Sequence, residues 1–67
     1  MIEIHVDNPY HETTYRTKMT LELWKNDLEN TRKGNIGFIH FHDELSNKYI
    51  TINPANFASV QVREVAE

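Results

Sequence analysis

Apolar residues recur at every second position in four separate segments of this chain, and at helical spacing in only one. A period of two sends alternate side chains to opposite faces of a strand, whereas a period near 3.6 gathers them on one side of a helix. A chain patterned this way folds as a sheet with a single helix laid against it. Ile2, Ile4 and Val6 alternate with Glu3 and His5 and read as a half-buried first strand. Asp7-Asn8-Pro9 breaks it, and residues 10–18, through Thr13-Thr14-Tyr15-Arg16-Thr17, favour a second strand that completes a hairpin.

The next stretch reads two ways. Tyr15, Thr17, Met19, Leu21 and Leu23 continue the strand alternation, but Leu21, Trp24 and Leu28 lie on one helical face. Thr20 is a good N-cap, Glu22 suits the first helical turn, and Gly34-Asn35 supplies a stop. We read a helix from Leu21 to Arg32 and a strand ending at Lys18. Asn35 to His42 is β-branched and aromatic and reads as a strand, with Gly37 as a close-packed or bulged position. Asp43 to Asn47 forms a polar hairpin loop, Lys48 to Ile52 a short strand, and Asn53-Pro54-Ala55-Asn56 a strong turn before a last strand over Ala58 to Val65. The expected fold is α+β: one domain over residues 1–67, a mostly antiparallel sheet of about five strands in the order β-β-α-β-β-β, and one helix on one face. The expected core is Ile2, Ile4, Val6, Leu21, Trp24, Leu28, Ile39, Phe41, Ile50, Ile52, Phe57, Val60 and Val62.

Length bounds the stability of such a fold. Sixty-seven residues make one domain with a small core, which partners, metals or disulfides commonly reinforce. The chain has no cysteine, which excludes disulfides and thiolate zinc sites and points to a reducing cytoplasm. No run of residues approaches a membrane span, and the first residues do not read as a signal peptide. A net charge of −3 leaves no electrostatic footprint for nucleic acid. Arg32-Lys33 reads as cations in the last turn of a helix.

One helix covers one side of a five-stranded sheet. By the alternation, the other side carries Glu3, His5, Ile36, Phe38, His40, His42, Tyr49, Thr51, Gln61 and Arg63. Its mixture of aromatic, imidazole and guanidinium groups is that of an interface. We take Phe38, His40, His42, Tyr49, Arg63 and His5 as the ligand or partner face, with Phe38 near the centre of a self-association surface. Against this stands the ordinary reading that an isolated Phe38 is merely exposed.

His40-x-His42 places two imidazoles on one strand face, ~6.5–7 Å apart, a spacing a divalent metal can use if His5 or Glu3 completes the set. The alternative is a pair of half-exposed histidines, and we assign no metal and no cofactor. Asp43-Glu44 reads as a charged loop tip, Ser46 and Ser59 lack a nucleophile-elbow context, and the glycines form no phosphate-binding loop. No residue is assigned a catalytic role, and the chain is read as not being an enzyme.

Gly37-Phe38-Ile39-His40-Phe41, followed by Tyr49-Ile50-Thr51-Ile52-Asn53-Pro54-Ala55-Asn56-Phe57-Ala58-Ser59-Val60, resembles the closing hairpin of small uncharacterised accessory proteins of Gram-positive bacteria and their phages. The resemblance spans about thirty residues and carries no functional residue across. It implies a compact accessory protein, phage-encoded, that acts by binding a host or competitor molecule. The sequence reading is therefore a homo-oligomeric, non-enzymatic module that binds a protein partner, with neither nucleic acid nor membrane involved. The alternatives are an oligomer that sequesters a small molecule or nucleotide between subunits, and a small metal-dependent or acid–base enzyme using His40 and His42.

Overall fold

The computed structural model of the chain describes residues 1–66. The elements run β1 (Ile2–Asn8), β2 (His11–Thr17), α1 (Leu21–Arg32), β3 (Ile39–Asp43), β4 (Lys48–Ile52), a 3-10 turn (Pro54–Asn56) and β5 (Ser59–Glu64). The α+β class and the element order are those expected, but the five strands divide between two antiparallel sheets. One sheet has the order β2-β1-β5 and the other is the hairpin β3-β4. The division follows from Asp43 and Glu44, which meet the outer edge of β2 at Arg16 alone instead of extending a ladder along it.

β1 is the central strand of its sheet. Ile2, Ile4 and Val6 stand opposite Thr17, Tyr15 and Thr13 on one side, and opposite Glu64, Val62 and Val60 on the other. All three are buried, and fully burying side chains of this size stabilises by about 1.5–3 kcal/mol each. The tight β1–β2 turn is fixed by the Asn8 Oδ1, which accepts the Tyr10 N–H at 3.0 Å.

The helix begins and ends where the sequence places it. Thr20 Oγ1 accepts the Leu23 N–H at 3.1 Å, satisfying one of the orphan donors of the first turn. At the other end the Gly34 N–H donates to the Thr31 carbonyl and the Asn35 N–H to the Asn30 carbonyl. This double closure requires a left-handed residue, and Gly34 supplies it with φ of +78°. The Ile36 N–H also reaches the Asn30 carbonyl. Residues 35 and 36 are thus drawn to the helix end, so β3 starts at Ile39, four residues later than expected. Gly37 accordingly lies outside the strand with open space around it, and is neither bulged nor close-packed.

Trp24 is the fully buried residue of the helix and packs with Ile2, Ile4, Val6, Ile39, Phe41 and Ile52. Leu21, Leu28, Ile50, Phe57, Val60 and Val62 are half-buried against this cluster, so every expected core residue belongs to it. Tyr15 and Met19 join them. The Tyr15 and Phe41 rings meet edge-on, with centroids 5.4 Å apart, and link the two sheets through the core.

Candidate functional site

With the inner faces of both sheets turned to a shared core, two outer faces remain. The residues expected on one face are therefore distributed over two surfaces. His40, His42, Tyr49 and Thr51 lie together outside the β3–β4 hairpin, because His40 pairs with Thr51 and His42 with Tyr49. His5 and Arg63 lie outside the other sheet, with Glu3, Thr14, Arg16 and Gln61. Phe38 stands just ahead of β3 and is 52% exposed.

On the hairpin surface, His40 Nδ1 and the Thr51 hydroxyl are 2.9 Å apart. The His42 and Tyr49 rings meet edge-on at a centroid distance of 5.0 Å, yet Tyr49 is 89% exposed. His42 Nδ1 lies 3.2 Å from Glu44 Oε1, and its Nε2 lies 3.0 Å from Asn47 Oδ1. Asn47 closes the hairpin in the left-handed region, with φ of 56°, which asparagine tolerates better than most residues. His42 thus braces the β3–β4 loop through both ring nitrogens. A metal at His40-x-His42 would have to displace at least one of these contacts. Among the described residues, no three His, Asp or Glu side chains gather where an ion would sit.

The second surface is built around Glu3. Its Oε2 accepts the Arg16 Nε–H at 3.1 Å, and its Oε1 accepts the Arg63 Nε–H at 3.0 Å. The hydrogen-bonded Arg16 holds the Glu3 carboxyl below its ordinary value; desolvation opposes the shift and Arg63 adds to it. His5 Nδ1 and Thr14 Oγ1 are 2.9 Å apart. A shallow recess of about 270 Å³ runs over Glu3, His5, Gln61 and Arg63. Glu3 is thus shared by two guanidiniums across three strands, an ion-paired cluster on the outer face of this sheet.

Two features escaped the sequence reading. Asp43 is no loop tip: its side chain is buried and accepts the Arg16, Leu45 and Ser46 N–H groups and the Ser46 hydroxyl. Burial pushes its carboxyl up, but these donors outweigh it and hold the group below its ordinary value. An Asp three residues ahead of a Ser in a short loop is a signal for such local bonding, but the Arg16 contact is tertiary. The other feature is an open groove of about 640 Å³ between the C-terminal end of α1 and the turn at 53–58. Leu28, Ile36, Pro54, Phe57 and Val60 provide its apolar lining. Residues read as core therefore turn part of their surface to a groove, which no periodicity reveals. Among the described residues, Arg32 is the one charged side chain lining it.

Comparison with protein-family models, with curated proteins and with solved structures finds no match. Among the described residues, no helix is long and apolar enough to cross a membrane.

Proposed function

We infer that this chain is a small non-enzymatic binding module that associates with itself and holds a protein partner, its contact surface being the outer side of the β3–β4 hairpin with Phe38. The observation that carries this reading is the company Tyr49 keeps. An almost fully exposed tyrosine stands over His42, beside Thr51 and His40, and the half-exposed Phe38 immediately precedes the same hairpin. Exposed aromatics with amphipathic neighbours are what desolvated interface centres are made of. The outer face around Glu3 carries no aromatic side chain other than His5 among the described strand residues, and its Arg16 and Arg63 are drawn onto Glu3. The accessory role in a phage-encoded setting, drawn from the resemblance of the closing hairpin, fits a protein that acts by occupying another.

Light scattering on the purified chain tests the reading. Wild type is expected to weigh more than one chain as concentration rises, and Phe38→Asp, which sets a charge in the contact surface, to reduce that mass while retaining its circular dichroism. A wild type that stays monomeric into the millimolar range contradicts it.

A second reading has one observation behind it. The groove beside α1 falls within the roughly 300–1,000 Å³ typical of small-molecule sites, and its lining combines apolar side chains with Thr31, Arg32, Asn35, Asn53 and Ser59. Sequestration of a small amphipathic ligand would use Leu28, Phe57 and Val60 with Arg32, and would leave His40 and His42 untouched.

A further inference from the structure

Among the described residues, β2, β3, β4 and β5 each pair on one side only. The outer edges of β2 and β3 approach one another and are joined at Arg16 by Asp43 and Glu44, which leaves β4 and β5 as the edges open to another strand. A free edge is a template for another strand, and proteins normally blunt it with charge, proline or bulges. β5 is blunted, since Arg63 and Glu64 occupy its last positions and Arg63 is locked onto Glu3. β4 is not. Its sequence, Lys48-Tyr49-Ile50-Thr51-Ile52, carries one charge, at the first residue, and β-branched or aromatic side chains at the other four. Ile50 is half-buried although Phe41 and Ile52, on the same inner face, are buried.

We propose that the β4 edge is the seam of a two-fold homodimer, with β4 of two copies paired antiparallel about Ile50. The proposal rests on the reading of the chain as a self-associating module and names where the copies meet. In this register Tyr49 faces Thr51 of the second copy and Lys48 faces Ile52, so no like charges oppose one another. Ile50 meets its own counterpart on the inner face, carrying the apolar layer from Phe41 across the seam. On the outer face, His40, Thr51, and the Tyr49 and His42 of the second copy form one row across four strands. Phe38 lies level with Asn53, at the end of the seam to which the second copy's hairpin loop extends, and that loop carries Leu45, 59% exposed. The seam covers Tyr49 and Ile50 together. A foreign strand would use the same backbone groups but would not return the Tyr49–Thr51 pair twice about a two-fold axis. Five residues of edge fall short of the roughly 800 Å² per partner of a standard interface, so the flanking side chains are needed and the dimer is concentration-dependent.

A charge swap across the seam tests this. Tyr49→Lys/Thr51→Lys sets lysine opposite lysine twice, whereas Tyr49→Lys/Thr51→Glu sets lysine opposite glutamate twice. Both positions are exposed, and circular dichroism verifies that each variant is folded. By light scattering at high concentration, wild type should approach twice the 7.9 kDa chain mass. The Lys/Lys variant should fall to one chain, and the Lys/Glu variant should regain the dimer and lose it as salt is added. Equal masses for the two double variants overturn the seam. If both are monomers and Phe38→Asp also dissociates wild type, self-association stands but uses the outer face instead of the edge. A wild-type monomer at millimolar concentration overturns both.

Discussion

The Arg16 backbone N–H donates to the buried Asp43 carboxylate at 2.9 Å, and this bond fastens the end of β3 to the edge of β2. The adjacent Glu44 N–H donates back to the Arg16 carbonyl at 2.7 Å, so both backbone groups of one edge residue are satisfied by the hairpin. The other Asp43 contacts, to Leu45 and Ser46, order the loop that carries Asn47 and braces His42. One carboxylate thus joins the two sheets and shapes the end of the proposed contact surface.

Asp43→Ala should accordingly be costly. It removes the acceptor for the Arg16, Leu45 and Ser46 N–H groups, and an unsatisfied buried donor costs about 1–3 kcal/mol. Urea denaturation should show a loss of about 2–4 kcal/mol, with Asp43→Asn intermediate, since the amide keeps one acceptor oxygen. A loss within the error of wild type would mean that the junction is held by something else.

Acid should weaken the fold through the same group. The Asp43 and Glu3 carboxyls are both held below their ordinary values of 3.8 and 4.5. A depressed folded-state value means that the stabilisation is present above the ordinary value and is lost as pH falls through it and on toward the folded value. Thermal melts should be level from neutral pH down to about 5 on account of these two groups and fall steeply below about 4, with a shallower fall in Asp43→Asn. A melting temperature that holds or rises on acidification below that range would contradict these assignments.

The helix contributes through Trp24 more than through Leu28. Trp24 is 1% exposed at the centre of the core, and Trp24→Ala should cost about 3–5 kcal/mol or prevent folding of so small a domain. Leu28 is half-buried and lines the groove, so Leu28→Ala should cost only about 1–2 kcal/mol, below the usual range for a fully buried leucine. Equal costs for the two would place the packing centre further along the helix.

What the sequence made legible was set by local chemistry. The period-two run from Ile2 to Val6, the Thr20 cap and the Gly34 stop fix their elements because each signal acts within a few residues, and the structure places all three as read. The late start of β3 was not legible, because Asn35 and Ile36 have strand-like neighbours yet spend their N–H groups on the Asn30 carbonyl. The distribution of His5 and Arg63 to one surface and His40, His42 and Tyr49 to another was equally hidden. Alternation says which side of its own strand a residue takes, but not which sheet the strand joins. Asp43 was read from its polarity as solvated, whereas its burial depends on Arg16, twenty-seven positions away.

A dilution series followed by backbone amide NMR on the ¹⁵N-labelled wild type tests most directly that this chain binds through the β3–β4 hairpin. From micromolar to millimolar concentration, the amides of Phe38, His40, Leu45, Tyr49 and Thr51 should shift progressively, while those of His5, Gln61 and Arg63 stay in place. Spectra unchanged over that range, or shifts gathered at His5, Gln61 and Arg63, would contradict it.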